Sequence, residues 1–408
     1  MADHSGNGVR MKIESLSIRN FRVFKSAELS DIPSMAVFLG KNGSGKSTLF
    51  DVFGFLHDCL SGGVRRALVR RGGFQEVVSR GESGPIGFSI KFRPSEDEPL
   101  ITYELEIGLD EKQRPAVTKE VMRLRRGSKG APWKVLDFSC GQGLAVSGEI
   151  NSYEDVRREE SRSKQSLTAQ DSLAVDSLGQ LREFPAVASL RRLIDDWYVS
   201  DFKVDAARNR EDLASDADSL SRTGDNLALV TRQLHDEYPE IFSSIIERMK
   251  ERVPGVTDVS TAVTQDGYIL LRFQDGNFKN PFASKYVSDG TIKMFTYLVL
   301  LNSPNRHELL CVEEPENQLY PTLLPVLAEE FREYSEKGGQ VFISTHSPDL
   351  LNAIAPEELY CLEKGNDGFT TIKRASSMPN VVSLHEAGDK LGWMWIDGSL
   401  FADSEGVR

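Results

Sequence analysis

The sequence predicts an α/β fold, in which a mixed or parallel core sheet is flanked by helices and accompanied by an antiparallel β-meander subdomain and a helical insertion. Three observations lead to this prediction. The apolar run at 35–39 leads into the glycine-rich segment 40–47, and an apolar-striped helix follows. The segments 86–92 and 101–107 alternate apolar and polar residues, as antiparallel strands with one solvated face do. From 288 to 344 helices and strands alternate, which is typical of a parallel sheet.

The composition is that of a large globular protein. The chain has 408 residues, of which 39% are apolar and 27% charged, enough for one large domain or two to three modules. Because Lys and Arg total 49 and Asp and Glu total 61, the formal net charge is −12. This charge argues against a protein that coats nucleic acid over its whole surface, although it allows a local basic patch.

Cysteine usage and hydropathy favour a cytoplasmic protein that does not insert into a membrane. The cysteines lie far apart, without metal-finger or CxxC spacing, and predict a reducing compartment. They are Cys59, Cys140, Cys311 and Cys361. The densest apolar run, 294–301, is too short to cross a bilayer. Residues 1–10 contain no apolar core of a signal peptide.

Shifts in composition predict five segments along the chain. They are a flexible leader at 1–10, an N-terminal lobe with an antiparallel β subdomain at 11–150, a polar and helical insertion or lid at 151–225, a C-terminal lobe at 226–375 and a tail at 376–408. Polar tracts bound the insertion, and we expect it to contribute little to the core.

Hydrophobic periodicity predicts the elements in order. The first lobe contains strands at 11–18, 23–29, 35–39, 86–92 and 101–107, shorter pieces near Val121 and Val135, and a helix striped by Leu49, Val52, Phe53 and Leu56. A helix at 186–197 lies in the insertion. The second lobe contains helices at 226–236, 239–252, 288–301 and 321–336, and strands at 256–264, 268–273, 309–313 and 340–344.

The strongest motif follows the strand at 35–39 and matches GxxxxGK[ST] at every fixed position. Its candidate nucleotide-binding residues are Gly40, Lys41, Asn42, Gly43, Ser44, Gly45, Lys46, Ser47 and Thr48. Glycines let successive backbone N–H groups curl around phosphates, and the helix N-terminus adds a favourable dipole. Lys46 can reach the β- and γ-phosphates, and the Ser47 hydroxyl can hold Mg²⁺.

Two carboxylates follow the apolar strand at 309–313, where α/β sheets bind ligands. Glu313 is a candidate for the Mg²⁺ shell, and Glu314 for the group that orients or deprotonates the attacking water. A solvated strand end is the ordinary explanation for such a pair. The phosphate-binding motif in the same chain favours the catalytic interpretation.

A third strand, at 340–344, ends in a polar cluster that contains His346. This histidine could contact the γ-phosphate or the attacking water and report hydrolysis. A structural or simply solvated histidine is the alternative.

The segment Ser288, Asp289 and Gly290 opens an apolar helix. Ser288 is a good N-cap candidate, and the helix N-terminus is also a candidate phosphate site. Lys46 already accounts for the γ-phosphate of the nucleotide that its own chain would bind. A second phosphate site in the same chain therefore indicates binding to the ATP of a neighbouring subunit.

In this order, these motifs resemble an ATP-binding-cassette-type (ABC-type) ATPase head of the SMC/RecF/OLD group, a P-loop NTPase also grouped broadly with the AAA family. The opening IESLSIRNFRVFKSAEL resembles the first strands of that group. The resemblance covers roughly 11–110 and 226–375. It implies that Gly40–Ser47 is the Walker A loop, that Glu313 and Glu314 are the Walker B acid and the catalytic carboxylate, and that His346 is the switch histidine.

The resemblance also implies roles for less regular positions. The segment 316–319, which contains Glu316 and Asn317, would be the D-loop region, and Ser288, Asp289 and Gly290 would form the signature that acts in trans. Gln75 is a candidate for the Q-loop residue at the metal, although an exposed loop amide explains it equally well. The chain departs from the family pattern in having Glu313 where Asp is commoner, SDG in its signature, and no long heptad arms.

The family implies ATP and Mg²⁺ as ligands and a head-to-tail homodimer, or a larger oligomer, closed by ATP and opened by hydrolysis. We expect a motor, clamp or sensor in DNA maintenance or anti-phage defence, acting with a separate effector because we expect no fused nuclease domain. An ATP-gated regulatory or scaffold protein that does not bind DNA is the second hypothesis, and a transport cassette the third.

Two surface features bear on partners. Arg65, Arg66, Arg70 and Arg71 cluster after the first helix, either as a solvated face or as a contact to the backbone of duplex DNA. The aromatic segment 391–403 either packs on its own sheet edge or docks a partner.

Overall fold

The computed structural model describes residues 11–95, 98–125, 131–148, 150, 162–212, 217 and 219–404. The strands are β1 (Lys12–Phe21), β2 (Phe24–Leu29), β3 (Met35–Leu39), β4 (Ile86–Arg93), β5 (Leu100–Leu109), β6 (Pro115–Arg125), β7 (Trp133–Ser139), β8 (Gln142–Val146), β9 (Arg162–Ser166), β10 (Trp197–Ser200), β11 (Glu211–Asp212), β12 (Val256–Val263), β13 (Tyr268–Asp275), β14 (Phe282–Ala283), β15 (Leu309–Glu313), β16 (Gln340–Thr345), β17 (Leu359–Lys364) and β18 (Thr370–Arg374).

The α-helices are α1 (Lys46–Gly62), α2 (Val64–Val69), α3 (Phe74–Val77), α4 (Ala174–Gly179), α5 (Pro185–Asp195), α6 (Val204–Ala207), α7 (Leu227–Glu237), α8 (Pro239–Arg252), α9 (Asp289–Asn302), α10 (Leu324–Glu336), α11 (Pro348–Leu351), α12 (Pro379–Glu386) and α13 (Leu391–Asp397). Every strand and helix that the periodicity predicts is present, with ends displaced by a few residues. The leader at 1–10 and the polar tract at 151–161 lie outside the described residues. The predicted segment boundaries remain predictions.

The chain divides into two compact units. The first comprises the described residues up to Trp197, with Gly338–Gln340 and Tyr360–Arg374. The second comprises Tyr198–Lys337, Val341–Leu359 and the described residues from Ala375 onward.

The first unit contains the antiparallel meander that the alternating segments predict. Eight strands lie in the order β2-β1-β4-β5-β6-β7-β8-β9, and each neighbouring pair is antiparallel. Buried apolar side chains alternate with less buried ones; in β5, for example, Ile101, Tyr103, Leu105 and Ile107 are buried and the residues between them are half-buried. In the same unit β3, β17 and β18 lie side by side, and β3 is buried along its whole length.

Helix α1 is positioned by a buried stripe and by glycines at both ends. The stripe that the sequence predicts (Leu49, Val52, Phe53 and Leu56) is completely buried. The helix begins after Gly45, which has φ 99°, and ends before Gly63, which has φ 79°. The packed helix therefore holds the segment 40–45 at a defined place at the end of β3.

The second unit combines the strands of two sheets with a set of helices. Strands β10, β15 and β16 are neighbours in this order, and β11, β13 and β12 form a second sheet, in which β14 also pairs with β13. Helix α9 is buried along almost its whole length, from Thr291 to Leu301. The apolar run at 294–301 is therefore a core helix.

An ion-pair network connects α8 to α10 in the second unit. The Arg248 guanidinium donates to both oxygens of Glu333, at 2.7 and 2.8 Å, and also to Glu330. Glu330 is 3% exposed and is contacted by Arg252 as well. Because a buried carboxylate needs compensating donors, these arginines fix the two helices against each other.

The expectation that the middle of the chain contributes little to the core is wrong. Leu173, Val175, Leu178, Phe184 and Leu190 are each at most 4% exposed. They lie on or next to α4 and α5, which pack against α1. Polar tracts lie on either side of this region and lower its average hydropathy. Composition alone therefore does not reveal its buried helices.

A buried carboxylate fastens α4 to the meander. Glu120 on β6 is completely buried. It accepts hydrogen bonds from the backbone N–H groups of Ala174 and Val175, at 2.6 and 2.9 Å, and from the Tyr103 hydroxyl at 3.1 Å. Burial raises the pKa of Glu120 to about 7 and outweighs these hydrogen bonds, which lower it.

This raised pKa predicts a pH dependence of stability. Between about pH 4.5 and pH 7 the folded chain retains a proton on Glu120 that the unfolded chain releases. The free energy of unfolding should therefore fall as the pH rises through this window, by roughly 3 kcal/mol for this group. Urea unfolding of Glu120→Gln should lack that part of the slope. Glu111→Gln, at an exposed turn, is the control; an E120Q slope equal to that of the wild type contradicts the assignment.

Candidate functional site

The segment 40–45 in the first unit has the shape of a phosphate cradle. It joins β3 to α1, and Gly43 has φ 80°, where a side chain would be strained. At Gly40 a Cβ atom would lie 2.1 Å from the Ser44 Oγ, so that position requires glycine for its close approach. Lys46 is buried, and its Nζ donates to the Gly40 carbonyl at 2.7 Å.

The outer side of this loop is exposed to solvent, and its inner side is contacted by β18. Lys41, Asn42, Gly43 and Ser47 are exposed, whereas Ser44 is buried. From inside, the Thr370 hydroxyl on β18 donates to the Ser44 carbonyl at 2.9 Å. Backbone N–H groups at the start of α1 can therefore meet an anion without a side chain blocking the approach. Thr48, the third residue of α1, is half-buried.

In the second unit, Glu313 ends β15 and Glu314 follows it in a left-handed conformation, with φ 43°. The Glu314 N–H donates to the Ser344 carbonyl at 2.9 Å, and its Oε2 accepts from the Asn317 amide at 3.1 Å. A non-glycine residue in this conformation costs about 1–2 kcal/mol and is often found at functional positions. Glu313 is half-buried.

His346 lies next to the same loop. Its Nδ1 is 3.5 Å from the Glu314 Oε1 and 3.4 Å from the Glu316 Oε1. The structure thus brings together Glu314, Asn317 and His346, three of the residues that the sequence singles out. Their catalytic roles remain predictions.

Sequence reasoning assigned Glu316 only to the D-loop region and missed its role in the site. Its Oε1 accepts from the Thr345 hydroxyl and from the His346 backbone N–H, both at 2.8 Å. The side chain is 8% exposed, and its Oε2 is buried without a hydrogen-bond partner among the described residues. Two acids separated by a proline after a strand are the signal that could have indicated a second carboxylate in the site.

Ser288 caps α9, as its residue type predicts. Its Oγ accepts from the Thr291 N–H at 3.3 Å. The side chain of Asp289 is engaged by Arg208, and a Cβ at Gly290 would lie 3.2 Å from the Gln318 carbonyl. The start of α9 therefore packs directly on the segment that contains Asn317. The action of this segment in trans remains a prediction.

Lys293 is the second residue that sequence reasoning missed. It is 4% exposed, and its Nζ donates to the Asn317 carbonyl at 2.5 Å. Burial lowers its pKa to about 8, against the opposing effect of Glu316, Asp201 and Glu314. Because it lies within an apolar helix, its charge is the only sequence signal that marks it. It connects the helix of the candidate signature to the candidate D-loop.

Gln75, the candidate Q-loop residue, lies in the short helix α3 and is exposed. Its role at a metal remains a prediction. Within the described residues no three His, Cys, Asp or Glu side chains are grouped so as to hold a metal ion. The hydroxyl of Ser47 and the carboxylate of Glu313 are hard oxygen donors of the kind that Mg²⁺ uses together with phosphates and water.

The arginine cluster is partly neutralised. Arg70 pairs with Asp58, and Arg71 pairs with both Asp51 and Asp58 and is only 11% exposed. Arg66 is exposed in α2. Fewer arginines are therefore available to a polyanion than the sequence suggests.

None of the helices within the described ranges is long and apolar enough to cross a membrane. The segment near the tail folds as α13, which packs on α11, while Trp393 and Ile396 are each 62% exposed. The tail therefore packs on a helix rather than on the predicted sheet edge, and docking of a partner on its open face remains a prediction.

The position of Glu316 predicts a stability effect. Glu316→Ala leaves the buried Thr345 hydroxyl without its acceptor, which should lower the free energy of unfolding by about 1–3 kcal/mol. Glu316→Gln retains an amide oxygen at the same reach and should lose less. Urea unfolding of the two variants measures the difference. Equal stability of E316A and the wild type would show that this carboxylate does not hold the strand end.

The comparisons with known proteins agree with this architecture. Residues 35–352 match the family model described as "AAA domain, putative AbiEii toxin, Type IV TA system". The DNA replication and repair protein RecF of Heliobacterium modesticaldum is 22% identical over 383 residues, which cover 86% of this chain and 95% of the relative. The protein of the same name from Idiomarina loihiensis is 36% identical over 74 residues, which cover 18% of this chain and 19% of the relative.

Among solved structures, the Smc head domain with an extended coiled coil, bound to the C-terminal domain of ScpA and derived from Pyrococcus furiosus, matches with a TM-score of 0.52. The identity is 11%, and the match covers 92% of this chain and 100% of the other. This likeness concerns the fold, whereas the family model covers most of the sequence. The chain therefore belongs to this family of AAA domains and has the fold of an SMC/RecF-like ABC-type ATPase head.

Proposed function

We propose that this protein binds and hydrolyses ATP. The observation that carries the proposal is that one chain contains, in its first unit, a complete GxxxxGK[ST] loop folded between a strand and a helix and, in its second unit, a carboxylate at a strand end that is held beside a histidine. The buried Lys46 supplies a positive charge to the loop, and the exposed loop backbone supplies N–H donors for the phosphates of ATP.

Hydrolysis needs a group that accepts a proton from water. Glu314 is suited to this role because Asn317 holds one of its oxygens while the side chain remains about one-third exposed. His346, within 3.5 Å of that carboxylate, is suited to contact the γ-phosphate. Mg²⁺, when bound, would neutralise phosphate charge, and Ser47 and Glu313 would hold it.

We further propose that two copies associate head to tail around ATP. The support is local. The capped N-terminus of α9 carries Ser288, Asp289 and Gly290, and α9 is long enough for its dipole to favour an anion. Tyr286 lies two residues before this segment, the backbone N of Tyr320 would lie 3.9 Å from a Cβ at Gly290, and both tyrosines are 72% exposed. Exposed aromatic residues beside a capped helix N-terminus suit an interface with a second copy.

The biological setting that we propose is DNA maintenance or anti-phage defence, with a separate effector. The name of the RecF relatives supports the first, and the toxin–antitoxin description of the family supports the second. The exposed side chain of Ile396 on α13 offers an apolar contact for a partner.

An ATP-gated regulator that does not touch DNA is the second candidate. Two observations favour it: the net charge of −12, and the ion pairs that engage Arg70 and Arg71 within the fold. A transport cassette has less support, since the named relatives are DNA replication and repair proteins.

The chemistry is tested with Glu314→Gln, because an amide cannot accept the proton of the attacking water. The variant should bind ATP with the affinity of the wild type and hydrolyse it about 10²–10⁴-fold more slowly. Equilibrium binding and steady-state phosphate release measure the two quantities. Glu329→Gln, an exposed position on α10, is the matched control. Near-normal turnover in E314Q would remove Glu314 from the role of base.

The same assay distinguishes the two settings when it is run with duplex DNA at two salt concentrations. Stimulation that weakens as salt rises supports a DNA-handling head, because phosphate contacts release counterions. A rate that is indifferent to DNA at both salt concentrations supports the partner-gated regulator.

The dimer is tested with Ser288→Arg, which adds a long charged side chain at the start of α9. ATP binding should be retained, while turnover and ATP-dependent dimers in light scattering should be lost. Ser243→Arg, on an exposed part of α8, makes the same substitution away from the proposed interface. Unchanged turnover in S288R argues against a site completed by a second copy.

A further inference from the structure

The backbone of His346 is held on both sides. Its N–H donates to the Glu316 Oε1 at 2.8 Å. Its carbonyl accepts a hydrogen bond from the indole Nε1–H of Trp395 at 3.1 Å. The direction of a side chain depends on the backbone that carries it. These two contacts therefore set where the imidazole points, and the same Glu316 oxygen also lies 3.4 Å from the ring Nδ1.

Trp395 reaches this carbonyl because α13 packs closely on α11. The Gly392 N–H donates to the Asn352 Oδ1 at 3.0 Å. A Cβ on Gly392 would lie 2.1 Å from the Pro348 carbonyl, so the helices touch backbone to backbone. Leu391 and Met394, each 1% exposed, bury the inner face of α13. Since this packing leaves little freedom, the indole is presented at a defined position.

The chain segment around His346 is also fixed by its own neighbours. The Ser347 N–H donates to the Thr345 hydroxyl at 3.0 Å, and the Ser347 side chain caps α11. Helix α11, which α13 covers, thus begins two residues after His346. A displacement of α13 would be transmitted to His346 by two routes, through the indole and through α11.

The family model ends at residue 352, so α13 lies outside the region that it describes. We propose that Trp395 is a positioning residue for His346. By holding the backbone carbonyl, α13 keeps the imidazole beside Glu314 in the arrangement that hydrolysis requires. This inference rests on the proposed ATPase function.

The test is Trp395→Phe, which retains an aromatic ring and loses the N–H donor. We expect kcat for ATP to fall about tenfold with KM unchanged, as a misplaced group affects the chemical step more than binding. Trp393→Phe, the same substitution at an exposed position of the same helix, should leave both parameters unchanged. In a His346→Ala background, Trp395→Phe should cause no further loss. An additive loss there would overturn the proposal, because a purely structural role is independent of His346.

A spectroscopic measurement tests the positioning role of Trp395 independently of the ATPase proposal. In protein ¹³C-labelled at the histidine Cε1, the His346 signal, assigned with His346→Ala, should shift in W395F and stay in place in W393F. If the wild type does not hydrolyse ATP, the proposed function fails, and this signal still decides the inference. An unmoved signal in W395F overturns it.

If W395F does not fold, hydrogen exchange in the wild-type protein tests the proposal instead. A hydrogen-bonded indole N–H exchanges with solvent more slowly than an exposed one. The Trp395 indole proton should therefore exchange more slowly than that of Trp393. Equal rates would overturn the proposal.

Discussion

The carboxylate of Glu316 joins the loop after β15 to the end of β16, and the candidate catalytic residues depend on this connection. One oxygen accepts from both Thr345 and His346 at 2.8 Å. A nearly buried carboxylate requires such donors, because an uncompensated charge in the interior is costly. With this tie in place, Asn317 and His346 each lie within contact of the Glu314 carboxylate.

A buried charge also connects the loop after β15 to the helix α9. The buried ammonium group of Lys293 donates to the Asn317 carbonyl and experiences the charges of Glu314 and Glu316. Desolvation nevertheless dominates, because its pKa is lowered to about 8. The capped end of α9 and the loop that carries the acids are thus connected by one buried cation. Movement of either segment would alter the surroundings of that cation and of the carboxylates together.

The fold was largely predictable because its signals are local. The glycine-rich loop, the alternating strands and the stripe of α1 each depend on residues close together in the sequence, and each is present in the structure. Strands β17 and β18 and helix α4 were not predicted. They are short, and α4 depends on Glu120, which lies 54 residues before its first residue.

The motifs of the site could be predicted from the sequence, whereas the residues that hold those motifs in place could not. Glu314 and His346 could be named because each follows an apolar strand. The supporting residues act across long separations: Trp395 contacts a residue 49 positions away, and Lys293 one that is 24 positions away. Lys293 also resembles an interruption in an apolar helix, and Trp395 an ordinary aromatic residue of a tail. Such pairings depend on tertiary packing, which no local pattern encodes.

The left-handed backbone of Glu314 also determines which amino acids could serve there. Aspartate adopts that conformation more readily than glutamate, yet its side chain is shorter by one carbon–carbon bond, about 1.5 Å. An aspartate would thus relieve the backbone and withdraw the carboxylate from Asn317 and His346. Glycine would relieve it fully and supply no acid. Glutamate at this position therefore has a less favourable backbone conformation, and its longer side chain reaches Asn317 and His346. The position requires side-chain length as well as negative charge.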